Sequence, residues 1–143
     1  MTFRFVDEVL SVEPGETGKI TTTTLIPASA PYLEGPFRSA GVPPSLLLES
    51  LAQSAGYLIL ATFPGRGVLL IKVEEVQYRR PLSGGERLTI RSELLGFHGD
   101  PETTGVARAF GEASVDGVSI AEARLLFLVV RLEGLGAGWG DSR

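Results

Sequence analysis

Residues 44–63 read PSLLLESLAQSAGYLILATF, and this stretch decides how the rest of the chain is to be read. Pro44 suits a first helical position, because the amide it lacks would be unpaired there anyway. Pro64-Gly65 then ends the helix. Between them Leu46, Leu47, Leu48, Leu51, Ala52, Ala55, Leu58, Ile59 and Leu60 fall on nearly every face, which predicts a buried helix rather than an amphipathic surface one. A membrane span is the competing reading for an apolar run of this length. Glu49, Gln53, three serines and the lack of flanking lysines argue against it. A helix of this kind needs a sheet to cover it.

On either side the hydrophobic period shifts to that of strands. Upstream, Phe3–Glu13 reads as a strand closed by Pro14-Gly15, and Thr17–Ile26 is rich in β-branched residues. Downstream, 68–78, 87–97, 103–115 and 118–132 follow as four strands expected in antiparallel hairpin succession, with turns at Ser83-Gly84-Gly85 and Asp116-Gly117. Ala107, Ala109, Gly111 and Ala113 share one face of their strand, a row of small side chains fit to lie beneath something bulky. The expected architecture is α+β: an antiparallel sheet of about six strands wrapped around one long helix, the hot-dog arrangement. One sheet cannot cover a helix that is apolar all round, so a homodimer is expected, its two sheets joined edge to edge.

Composition bounds the function. The 143 residues suit one domain, read as 1–132 with a Gly-rich flexible tail at 133–143, and scaling buries roughly two thirds of the unfolded chain's surface. Thirteen basic against 17 acidic residues give a net charge of −4 and no basic footprint for nucleic acid. Without cysteine there is no disulfide, thiolate metal site or cysteine nucleophile. The lone His98 rules out a metal site built on several imidazoles, and no cofactor or metal is expected. Met1–Leu10 carries Arg4, Asp7 and Glu8 and is no signal peptide, so a cytoplasmic protein is the default, with neither membrane nor nucleic acid as a partner.

Pro27–Pro44 holds seven prolines and glycines, too many for a regular element, and reads as an ordered loop with its own task. Beyond it Ser45, Glu49, Gln53 and Tyr57 recur every four residues and form one polar stripe on the helix. Glu49 is the single charge between Arg38 and Arg66. A carboxylate on a buried helix needs a reason. It is either a general acid or base with its pKa raised by burial, or a group satisfied across a dimer seam or by loop amides. The first amides free to donate at the helix start are those of Ser45, Leu46 and Leu47, placed to stabilise an electron-rich carbonyl oxygen or to bind water. Gly35 and Phe37 bring loop backbone and an aromatic wall toward the same point.

Three stretches then carry a resemblance. FVDEVL (5–10) with Glu13-Pro14-Gly15 is similar to an opening strand and turn; YLEGPFRSAGVPPSLLLESLAQ (32–53) to the pattern F-x-G-H-F-P-G-x-P-x-x-P-G-V-L-x-x-E-A-x-A-Q; and YRRPLSGGE (78–86) to F-R-R-P-V-x-P-G-D. Over Met1 to about Leu132 the chain resembles the FabZ/FabA-type 3-hydroxyacyl-acyl-carrier-protein dehydratases. The resemblance implies water elimination from 3-hydroxyacyl thioesters. In that chemistry a loop histidine takes the proton beside the carbonyl, and a helix carboxylate of the partner subunit protonates the leaving hydroxyl. Glu49 falls on the acidic position and Gln53 on the glutamine. Pro36 occupies the histidine position, the segment is about one residue shorter between Gly35 and Glu49, and Ser45 replaces a glycine.

A pyrrolidine ring neither takes nor gives a proton, so the resemblance implies a degenerate site. His98 lies in a polar hairpin tip and reads as a surface histidine, Glu34 as solvent-facing, and Arg38 as a rim charge. Arg79 and Arg80 match the family's basic pair near the tunnel mouth. They would contact a pantetheine phosphate or an acidic carrier, or else pair with Glu74, Glu75 or Glu86. Three functions follow. One is a protein that binds acyl-carrier-protein or CoA thioesters with a degenerate dehydratase site, alone or with a dehydratase-like partner subunit. Another is a thioesterase using Glu49 with the helix start as oxyanion hole. The third is a silent structural subunit.

Overall fold

The computed structural model describes residues 6–27, 44–100 and 103–131. Six strands and one helix follow in the order β1 (Glu8–Glu13), β2 (Lys19–Leu25), α1 (Pro44–Thr62), β3 (Arg66–Tyr78), β4 (Arg87–Gly99), β5 (Thr104–Val115) and β6 (Val118–Arg131). All six strands form one antiparallel sheet in the order β1-β2-β4-β5-β6-β3. The expected six strands and single helix are therefore present, with bounds close to those read from the sequence. Strand β1 is described from Glu8, and the expected start at Phe3, the loop before Pro44 and the tail lie outside the described residues.

The downstream strands do not follow one another as simple hairpins. β4, β5 and β6 do, but β3 pairs with β6 at the far edge, and β4 pairs with β2 on the opposite side. The turn at Ser83-Gly84-Gly85 carries the chain back across the end of the sheet. There Gly85 N–H donates to Ile26 O at 2.8 Å and Ile26 N–H to Glu86 O at 2.9 Å. Two physical reasons separate β3 from β4. Eight residues divide Tyr78 from Arg87, too many for a tight hairpin, and Pro81 has no N–H to give a ladder. Burial also differs: β4 alternates inward Leu88, Ile90, Ser92 and Leu94, whereas β3 leaves Leu70 and Ile71 exposed, as an edge strand does.

The Asp116-Gly117 turn is a two-residue hairpin, with positive φ at both positions (51° and 80°) and Val115 paired to Val118. The small-residue row on β5 does what its pattern predicts. Ala107, Ala109, Gly111 and Ala113 are buried beneath α1, and a Cβ on Gly111 would stand 3.1 Å from Cδ2 of Leu51. A larger residue there would require the Leu51 side chain to give way by a few tenths of an ångström.

Helix α1 faces the sheet through Leu47, Ser50, Leu51, Ser54, Ala55, Leu58 and Ile59. Buried hydroxyls join helix to sheet, Thr22 Oγ1 and Ser54 Oγ lying 2.6 Å apart. The C-terminal end is pinned by Thr62, whose Oγ1 donates to Leu58 O at 2.8 Å and accepts from Gly15 N–H at 3.1 Å. The opposite flank is open: Ser45, Glu49, Tyr57 and Ala61 are exposed. A helix buried all round is thus not what one chain builds. A single sheet covers only one side of a cylinder, and among the described residues no element packs over the other.

Candidate functional site

Glu49, Gln53 and Tyr57 stand on the uncovered flank of α1, one helical turn apart. With Ala52, Gly56 and Leu60 of the same helix and Val68 and Leu70 of β3 they line an open groove of about 240 Å³. Small and apolar residues at Ala52, Gly56 and Leu60 make its floor, and the polar stripe makes one rim. Glu49 is exposed in the single chain, so the burial expected from the sequence is not supplied by its own fold. The residue keeps its place on the helix, on the flank that the sequence reading left for a second chain to cover.

A second cavity, about 370 Å³, opens at the start of α1 and is lined by Pro44, Leu47, Tyr78, Arg79, Arg80, Pro81 and Leu82. The Tyr78 hydroxyl reaches Pro44 O at 3.3 Å, tying this segment to the helix start, and burial pushes its phenol pKa up. Arg80 is held by a two-pronged contact with Glu86, at 3.0 and 2.9 Å, while Glu86 also accepts from Ser83 N–H at 2.8 Å. The hydrogen bond from Arg80, helped by the Ser83 amide, holds the Glu86 carboxyl below its ordinary range against the opposing effect of burial. The same bond raises the Arg80 guanidinium.

Arg79 donates to Ser119 Oγ at 3.1 Å and lies 3.4 Å from Glu122. The Arg80–Glu86 pairing matches one of the partners expected from sequence. Arg79 takes Glu122 instead, because β3 lies beside β6, and Glu74 and Glu75 go to Arg108 and Arg124. The sheet order, not the sequence spacing, selects these partners.

Among the sequence-predicted site residues, the fold gathers Glu49, Gln53 and Tyr57 in one groove and Arg79 with Arg80 in the other. Ser45 is exposed at the first turn of α1, and Leu46 packs half-buried against the core. Gly35, Pro36 and Phe37 lie outside the described residues. His98 is exposed on β4 opposite Val106, near the β4–β5 turn, and lines neither cavity. Sequence reasoning missed Ala52, Gly56 and Leu60 as groove floor, although their spacing of three, seven and eleven residues from Glu49 places them on the adjoining helix face. Leu70, by contrast, carries no such signal, because β3 reaches the groove only through the crossover. Among the described residues no cluster of His, Asp and Glu is suited to a metal ion, and no helix is long and apolar enough to cross a membrane.

A six-stranded antiparallel sheet packed on one long helix, with a carboxylate on that helix's open flank, defines a hot-dog domain. The same fold is found in the crystal structure of a hot-dog-like protein from Thermanaerovibrio acidaminovorans, with a TM-score of 0.68 at 15% identity over 89% of this chain and 92% of that one. The model of the FabA-like domain matches residues 1–124, and the chain belongs to that family. Among its relatives are two proteins named 3-hydroxyacyl-(acyl-carrier-protein) dehydratase FabZ. That of Pelotomaculum thermopropionicum is 35% identical over 130 residues, covering 89% of this chain and 88% of the relative. That of Solibacter usitatus is 31% identical over 128 residues, covering 87% and 74%.

Proposed function

We propose that this protein binds 3-hydroxyacyl or enoyl thioesters, carried by acyl-carrier protein or CoA, in fatty-acid or polyketide-type metabolism in the cytoplasm. In this reading Glu49 is the acid or base of a site that lacks the usual histidine. The observation that supports it best is the placement of Glu49 and Gln53 together on the open flank of α1, at the rim of a groove with an apolar floor. An acyl chain would lie on that floor with its thioester toward Glu49. Two copies would close the groove, so that Glu49 is desolvated between them rather than by its own chain.

Pro36 stands where the family pattern has histidine, and proline offers no lone pair to a proton. Removal of the proton beside the carbonyl therefore has no base at that position. Two outcomes follow from this chemistry: retained binding without dehydration, in a homodimer or beside a dehydratase-like partner subunit, or use of the carboxylate alone. A lone carboxylate with helix-start amides at Ser45, Leu46 and Leu47 suits thioester hydrolysis, where it acts as base or nucleophile and the amides hold the oxyanion. That is the second reading, favoured by the same pairing of Glu49 with an absent imidazole.

One pair of assays separates them. Hydration of a crotonyl thioester and release of free thiol from an acyl-thioester panel are measured for the native chain and for Glu49→Gln. Binding with neither reaction supports the degenerate dehydratase. Thiol release lost by at least about a hundredfold in Glu49→Gln supports the hydrolase. Robust hydration by the native chain would refute the claim that the site has lost its dehydratase chemistry.

A further inference from the structure

Gly56 sits in the thirteenth position of a nineteen-residue helix, where glycine is entropically costly and alanine is the favoured small residue. A Cβ at this position would meet no heavy atom within 4 Å among the described residues. At Gly111, by contrast, an added Cβ would stand 3.1 Å from the Leu51 side chain, tighter than an ordinary contact. Nothing in the described fold requires position 56 to be bare. The space it leaves belongs to the groove, between Ala52 and Leu60 on the floor and Val68 and Leu70 on the wall.

The groove's form points to its occupant. From Glu49 to Gly56 the helix advances about 10 Å, and from Glu49 to Leu60 about 16 Å. Over that length the lining is mostly apolar, from Ala52, Leu60, Val68 and Leu70, with Glu49, Gln53 and Tyr57 as its polar members. An extended hydrocarbon chain with its polar head at Glu49 suits that lining, apolar along the helix and polar where the thioester would lie. We propose that Gly56 is the specificity-determining residue of the groove: its missing side chain lets an acyl chain pass beyond the second turn of α1 from Glu49 toward Leu60, and so sets the longest chain accepted. This rests on the acyl-thioester reading above.

The test uses S-alkyl pantetheine thioethers, which carry the arm common to CoA and acyl-carrier proteins and cannot be hydrolysed. Butyl, octyl and dodecyl forms are titrated against the native chain, Gly56→Ala and Gly56→Leu by calorimetry, with sedimentation and thermal melting alongside. Gly56→Ala is expected to weaken octyl and dodecyl binding by about tenfold, and Gly56→Leu by more, because added methyl groups take the chain's space. Butyl binding, which ends short of position 56, is expected to stay within about twofold of the native value. Gly56→Ala is also expected to melt a few degrees higher, with an unchanged sedimentation coefficient. An unaltered length preference in both variants overturns the inference alone. Equal loss at all lengths, accompanied by altered sedimentation, overturns it too, since Gly56 would then be a contact between copies. No binding of any thioether to the native chain overturns the acyl-thioester reading itself, and the inference with it.

Discussion

Gly111 and Gly56 show how the same residue type answers two different demands. At Gly111 the demand is internal, because α1 lies so close that a methyl group would press on Leu51. Gly111→Ala is expected to destabilise the fold by about 1–3 kcal/mol through overpacking, and Gly111→Val by more. Urea unfolding followed by far-ultraviolet circular dichroism measures this, and an unchanged midpoint would show that the helix yields without cost. At Gly56 the demand comes from outside the chain, and alanine there stabilises rather than strains. Glu49 is the other residue whose setting decides its behaviour. A carboxylate on an open helix flank is ordinary, and the same carboxylate becomes chemically useful once a second surface removes its water.

The segment between β3 and β4 carries its own ion pair, and its pH response follows from the direction of the Glu86 shift. A carboxyl whose folded-state pKa is lowered binds protons more weakly folded than unfolded. Its contribution is therefore complete above the unfolded value near ~4.3, and is lost as pH falls through that value toward the lower folded one. Both partners are partly exposed, 40% for the Arg80 side chain and 24% for Glu86, so solvent screens the pair and the contribution is about 0.2–1 kcal/mol. Glu86→Gln is expected to remove that increment at neutral pH and to flatten the stability profile below pH ~4.5 relative to the native chain. Thermal melts across that range check it, and parallel profiles for the two proteins would show that the pair contributes nothing. Strands β5 and β6 behave as elements whose local pattern and tertiary role agree: the small-residue row and the Asp-Gly turn point the same way.

At the scale of the whole molecule the two sheet edges are unequal. β1 is short, bears Glu8 and Glu13 at its ends, and is interrupted between Val9 and Ser11, features that blunt an edge. β3 runs thirteen residues with Gly67 to Ile71 uncharged, Leu70 and Ile71 are 40% and 52% exposed, and it borders the groove. The proposed homodimer would therefore join through β3 and the open flank of α1. Leu70→Asp together with Ile71→Asp is expected to shift the chain to monomer in sedimentation velocity and to abolish thioester binding with it. A native chain that sediments as a monomer would remove the dimer from the account.

The order of elements, the span of α1, the turn at Asp116-Gly117 and the polar stripe from Ser45 to Tyr57 were all legible in the amino-acid sequence, because each depends on residues close together in the chain. Propensity, periodicity and turn chemistry act over a few residues. The motifs spanning 32–53 and 78–86 added the family, which the match over residues 1–124 supports. What tertiary structure alone decided were matters of distance across the chain: that β3 leaves β4 for β6, that Arg79 meets Glu122, and that Leu70 walls the groove beside Gly56. The burial of Glu49 belongs with these. Its pattern on the helix is local, but how much water reaches it depends on which surfaces the sheet can cover, and this sheet leaves the flank with Ser45, Glu49, Tyr57 and Ala61 exposed.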